Sequence, residues 1–322
     1  MSEEIQLTGD NTFQIVGDLT IRDVTSDVVL DAGCAPGRAG GRRSASALAS
    51  PPMRVALCQT SSGADVVANE AQAMGLLEEA GSAGVDLACL PEVWPCQGSA
   101  PEVRAAAEPV PGPRTDRLAE VARRHGVWIH GGSVLELDGE HVFNTSVLLD
   151  RRGELVASYR KIHLFDADPP GGRPSRESFL YSAGEEVVTA ETEFGRVGFS
   201  ICYDVRFPEL YRAIAARGAT IVFVPSAFRY ETGKDHWDVL LRARAIEDQC
   251  FVIAAAQWGT WGPSGRERRN FGNSLVADPW GRVIARAPEG VGVTLAELDL
   301  DEIRRVRDLV PALRHRRLGP SC

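Results

Sequence analysis

Nowhere in the chain do ~20 apolar residues run together, the length a helix needs to cross a bilayer. The opening Met1-Ser2-Glu3-Glu4 has neither the positive nor the apolar character of an export signal, so neither secretion nor membrane insertion is expected. The seven cysteines are an odd set with no Cys-x-x-Cys pair, and several lie within apolar strand patterns. That excludes a disulfide framework and points to reduced thiols in the cytoplasm. Histidines are few, and neither His163 nor His236 has a neighbour at ligand spacing; Asp166 is a poor third donor, so no metal centre is expected. Gly-x-Gly-x-x-Gly and Gly-x-x-x-x-Gly-Lys cradles are missing, so no nucleotide cofactor is implied. With a net charge of −9, the chain lacks the positive balance of a nucleic-acid binder. The arginine clusters at residues 266–269 and 314–317 read instead as solvated or intersubunit surface.

What remains is a 322-residue chain, 44% hydrophobic, with room for one large core or two modest ones. Residues 1–52 stand apart from the rest. Their alternation over 11–31 predicts a hairpin, which alone is marginal in water, and residues 34–46 read as a flexible linker. The segment reads as a fused remnant or an early start, with Met53 the natural beginning, and no chemistry is assigned to it. Residues 53–322 form the second region. There, strands over 54–59, 85–90 and 127–131 alternate with helices over 69–80 and 115–125, followed by hairpins and then a second alternating series. Such mixed connections suit two sheets packed face to face with helices outside.

One stretch carries chemistry. The apolar run 196–201 turns at Cys202 toward a helix of spacing Leu210, Ile214 and Ala215. A helix opening just after the thiol would favour thiolate, although a free cysteine is more often a small buried hydrophobe. Two further groups tip the balance. Glu92 ends the apolar run 85–90 in Leu90-Pro91-Glu92, and Lys161 ends a strand in Tyr159-Arg160-Lys161-Ile162-His163. A carboxylate base, a thiol nucleophile and an ammonium for an oxyanion make a workable set.

These three motifs, in this order, resemble the signatures of the nitrilase superfamily of carbon–nitrogen hydrolases over about residues 53–318. The resemblance implies an α/β four-layer αββα sandwich and a Glu92–Lys161–Cys202 amidase needing no cofactor. It adds Glu177 as a second glutamate orienting substrate and lysine. The backbone N–H of Tyr203 would bind the substrate oxygen beside Lys161. Arg206 reads as tying the elbow to a carboxylate. Tyr203-Asp204 after the nucleophile resembles the amidase branches, and residues 236–257 are similar to the deaminated glutathione amidases more than to the ω-amidases. The implied reaction converts a terminal amide of a small 2-oxo acid to carboxylate and ammonia through a thioester. The alternatives are a 2-oxoglutaramate ω-amidase, an N-carbamoyl amino acid or other aliphatic amide hydrolase, and a catalytically silent binding protein. The family also implies a homodimer, through apolar surface at Leu210, Tyr211 and Ile214 and a crossing arm at residues 310–317.

Overall fold

A computed structural model describes residues 51–318 in full and residues 4–9, 12–21 and 24–33 as backbone strands. The chain divides into two compact units, 1–50 and 51–322. In the first, Glu4–Gly9, Thr12–Ile21 and Val24–Gly33 pair in that order as an antiparallel sheet, one strand more than the sequence pattern indicates. The linker expected at 34–46 lies outside the described residues.

The second unit contains two six-stranded sheets. The first runs in the order Gly292–Leu298, Met53–Gln59, Leu87–Cys89, Trp128–Asp138, His141–Leu149, Leu155–Arg160. The second runs Thr189–Thr192, Gly195–Phe199, Ile221–Phe223, Phe251–Ala254, Leu275–Ala277, Val283–Arg286. In each, three consecutive neighbours pair in parallel.

The period of two along Met53–Gln59 decides the layers. Val55 and Leu57 face the second sheet, in one cluster with Phe199, Phe223 and Val252. Ala56 and Cys58 face outward onto helices Val66–Ser82 and Pro113–His125, against Leu77, Leu118 and Ala122. Helices Pro208–Ala216 and Tyr230–Asp248 cover the other outer face through Ile214, Leu241 and Ala245. The result is the αββα sandwich. Each large apolar side chain fully buried in these layers contributes roughly 1.5–3 kcal/mol. At Gly198 a Cβ would come within 2.2 Å of Ile214 Cγ2, so glycine is what lets the helix after the elbow close on its strand. That closure also corrects one expectation. Leu210, Tyr211 and Ile214 are buried in their own chain and have no apolar surface to offer a partner. Residues at the start of the expected arm likewise touch their own chain, since Gln249 Nε2 donates to the Val310 carbonyl at 2.5 Å.

Candidate active site

Three of the four expected catalytic side chains meet in direct contact below one cavity. Glu92 follows the strand Leu87–Cys89, and its turn is shaped by the neighbouring strand Trp128–Asp138, which bulges between His130 and Ser133. At the bulge Gly132 has φ +59° and a Cβ there would lie 2.0 Å from the Pro91 carbonyl, a position open only to glycine. Ser133 then donates its N–H to Pro91 O at 3.1 Å and accepts the Val93 N–H on its hydroxyl at 2.9 Å. Glu92 is thereby pinned, 1% exposed, with Oε2 accepting the Ala227 N–H at 2.6 Å and Oε1 accepting from Asn144 Nδ2 at 2.9 Å. Lys161, at the end of Leu155–Arg160, donates to Glu92 Oε1 and to Glu177 Oε2, both at 2.8 Å. Glu177 also accepts the Phe165 N–H at 2.8 Å. Burial alone would lower the ammonium's hold on its proton, but Glu177 and Glu92 reverse this and hold Lys161 well above its ordinary range.

Cys202 comes from the opposite sheet, directly after Gly195–Phe199 and Ser200-Ile201. It sits at φ +48°, a left-handed backbone that an ordinary side chain adopts at a cost of about 1–3 kcal/mol and that marks a sharp elbow. Asp204 holds the elbow. Fully buried, it accepts on Oδ2 from Tyr159 OH at 2.7 Å and Ile201 N–H at 2.8 Å, and on Oδ1 from His163 N–H at 3.0 Å, with His163 Nδ1 at 2.7 Å. Ser200 is turned into the core against Tyr211 OH and Phe223 O.

The expectation of a ready thiolate fails here. A 3-10 turn, Cys202–Arg206, separates the cysteine from helix Pro208–Ala216, so no helix dipole acts directly on the sulfur. Burial first, and then the carboxylate of Glu92, push the Cys202 thiol well above the usual thiol range, with Lys161 opposing and Glu177 adding to the rise. Two glutamates against one lysine disfavour a second anion. The resting group is the thiol, with the Glu92 carboxylate close enough to oppose its ionisation. Tyr203 lines the cavity beside it, and among the described residues its N–H has no acceptor.

The cavity above Cys202 has an empty volume of about 710 Å³ counting its open mouth, a size suited to a small ligand. Its walls include Val103, Tyr181 and Phe165 together with Arg206, Arg229 and Arg268. Two expectations change accordingly. Arg206 has no carboxylate within 4 Å among the described residues; it lies against Phe228 and Tyr203, with Nη1 3.2 Å from His236 Nδ1. The 266–269 cluster is not simply solvated surface, because Arg268 turns into the cavity.

Residues 54–308 match the carbon–nitrogen hydrolase family. The deaminated glutathione amidase of Bos taurus is 40% identical over 291 residues, 88% of this chain and 88% of its own. That of Yersinia enterocolitica is 40% identical over 273 residues, 83% of this chain and 94% of its own. The chain belongs to the carbon–nitrogen hydrolase family. Saccharomyces cerevisiae Nit3, a member of branch 10 of the nitrilase superfamily, matches it in structure with TM-score 0.74 at 33% identity, covering 85% of this chain and 100% of that one. Like other hydrolases of this family, it acts on carbon–nitrogen bonds other than peptide bonds.

Several supports of this hydrolase's site escape a reading by motif. Asn144, Gly132 and Ala227 act through hydrogen bonds or close approach that no spacing announces. One signal was present in the composition: the chain has only two lysines, Lys161 and Lys234, among 35 basic residues. Where arginine serves nearly everywhere else, a lysine kept at a buried position marks a place that needs a compact charge. Among the described residues no group of three His, Cys, Asp or Glu is arranged to hold a metal ion, and no helix is long and apolar enough to cross a membrane.

Proposed function

We propose that this hydrolase cleaves the amide of a small 2-oxo acid of the deaminated glutathione type, with Cys202 as nucleophile and Glu92 as general base. The observation that carries the reading is the contact set Glu92–Lys161–Glu177 at the cavity that Cys202 also lines. The relatives' named activity supports the substrate class. As the sulfur attacks the amide carbonyl, its proton passes to Glu92, so no standing thiolate is required. The carbonyl oxygen, now negative, is held by the Lys161 ammonium and the Tyr203 N–H. Collapse of the tetrahedral adduct breaks the C–N bond, and Glu92 returns the proton to the departing nitrogen. That product is ammonia from a primary amide. From deaminated glutathione, whose amide nitrogen is substituted, it is the peptide amine. Water, deprotonated by Glu92, then opens the thioester to the carboxylic acid, and the proton goes back to sulfur. Glu177 fixes Lys161 and does not touch the reacting atoms. The free buried cysteines suit a reducing compartment such as the cytoplasm.

The test is a substrate panel with the purified chain: deaminated glutathione, 2-oxoglutaramate and an N-carbamoyl amino acid. The expected order places deaminated glutathione first in kcat/KM, with no carbon dioxide released. A tenfold preference for 2-oxoglutaramate would replace this reading with the ω-amidase one, and turnover of the carbamoyl substrate alone would sink both.

A further inference from the structure

The cationic mouth of the cavity is not neutralised from within the protein. Arg229, the residue before helix Tyr230–Asp248, is only 9% exposed and lines the cavity, yet among the described residues no carboxylate lies within 4 Å of its guanidinium. Its guanidinium carbon lies 5.6 Å from the centre of the Trp261 ring, and that of Arg268 lies 5.7 Å from the same ring. Arg268 gives one N–H to the Pro174 carbonyl at 3.0 Å, and Trp261 Nε1 is buried with no acceptor. Glu231 exerts some pull on both arginines from a distance, while Arg173 adds positive charge beside Arg268. Burial first, and then the field of Arg268, bring Arg229 down to about 10.

Guanidinium and indole groups donate and do not accept, so a ligand that relieves this cluster must bring acceptors and negative charge. Arg206, Arg229, Arg268 and Lys161 together outnumber Glu92 and Glu177 by two charges, in a chain whose net charge is −9. A cavity of that sign fits a substrate with two carboxylates. Arg206 lies against Phe228 and Tyr203 next to the elbow and is not part of the pair about Trp261.

We propose that Arg229 and Arg268, set about Trp261, form a subsite for a carboxylate carried on the amine side of the scissile amide, so that amides of amino acids or short peptides are preferred to primary amides. The inference rests on the amide hydrolysis proposed for Cys202 and adds the specificity of its leaving group.

The experiment compares wild type with Arg229→Met, which keeps the apolar stem against Trp261 and removes the charge, and with Arg229→Lys, which keeps a charge. For deaminated glutathione, Arg229→Met should lose about 10- to 100-fold in kcat/KM, the range of a charged hydrogen bond, and mostly through KM. For 2-oxoglutaramate, which shares the acyl group but lacks the second carboxylate, the change should stay within about threefold; Arg229→Lys should recover part of the loss. Equal losses on both substrates, or none on either, would overturn the subsite. A second readout does not depend on the acyl group. Chloroacetylglycine alkylates a thiolate by forming a C–S bond as chloride leaves, and places a carboxylate where the amine product would be; chloroacetamide lacks it. The ratio of the two labelling rates at Cys202, read by peptide mass, should fall about tenfold in Arg229→Met, and an unchanged ratio would overturn the proposal. Failure of wild type to turn over deaminated glutathione would instead count against the substrate reading, leaving the labelling ratio to decide the subsite.

Discussion

The floor and the mouth of the cavity treat charge in opposite ways. On the floor Lys161 is fully buried and has a carboxylate on each side at 2.8 Å, and those carboxylates are tied in turn to the Ala227 and Phe165 N–H groups. At the mouth Arg229 is nearly as buried but has a ring and another arginine for neighbours. Groups proposed to take part in bond breaking are held before substrate arrives, because reorganisation during the reaction raises the barrier. Groups that recognise a ligand keep their hydrogen-bonding capacity unfilled until it binds. Substitutions of the paired charges on the floor should therefore act on kcat and on the stability of the fold, and those at the mouth on KM.

The sharpest break of that contrast comes from Cys202→Ala. Loss of sulfur removes the covalent route while deleting little volume, so turnover should drop by at least about 10³-fold with circular dichroism and melting unchanged. A folded variant with a tenth of wild-type activity would refute the nucleophile. Lys161→Met comes next. Removal of one oxyanion donor costs about 2.7–4 kcal/mol of barrier, or roughly 10²–10³ in kcat. The same change leaves Glu92 and Glu177 buried without their shared cation, which costs about 3–5 kcal/mol of stability in a urea titration. Lys161→Arg should not rescue turnover, since a planar fork cannot replace a point charge in a site closed by two carboxylates. An effect confined to KM would move Lys161 from the floor to the mouth in function.

The same division separates what could be read from the sequence from what could not. Leu90-Pro91-Glu92, Lys161 and Cys202 lie where apolar strands end, so periodicity alone places them at sheet edges, and the order of the motifs brings them together. The strand read from the sequence over 127–131 runs on in the structure, which bulges between His130 and Ser133 and continues to Asp138. Strand Gly292–Leu298 is largely exposed and leaves only a weak alternation, whereas helix Asp301–Leu309 does space Ile303 and Val306 on one buried face. Arg229 and Arg268 were illegible for another reason. They converge on Trp261 from residues 229 and 268 of different loops and strands, and only tertiary structure tells an inward arginine from a solvated one.

The smallest expected effect is the most discriminating about the floor. Cys202 is held as a thiol chiefly by burial and then by Glu92, while Glu177 adds to the rise and Lys161 opposes it. A thiol raised in this way is less ionised at any given pH, so its alkylation by neutral iodoacetamide should keep climbing with pH across the ordinary thiol range, near 8.5, instead of levelling there. Glu177→Gln keeps an oxygen for Lys161 and the Phe165 N–H but removes one negative charge, so Lys161 is less neutralised and the thiolate is favoured. Alkylation of Cys202 at pH 8 should then speed up, while kcat falls because Lys161 has lost a charged anchor. Loosening of the fold would also speed alkylation and lower kcat, but it would give the pH profile of a free thiol, levelling near 8.5; a profile that still climbs beyond that range in Glu177→Gln separates the two. Arg229→Met, at the mouth, should leave the profile with the neutral reagent almost unmoved. Slower alkylation in Glu177→Gln would mean that Glu177 does not oppose the thiolate, and the charge arrangement assigned to the floor would be wrong.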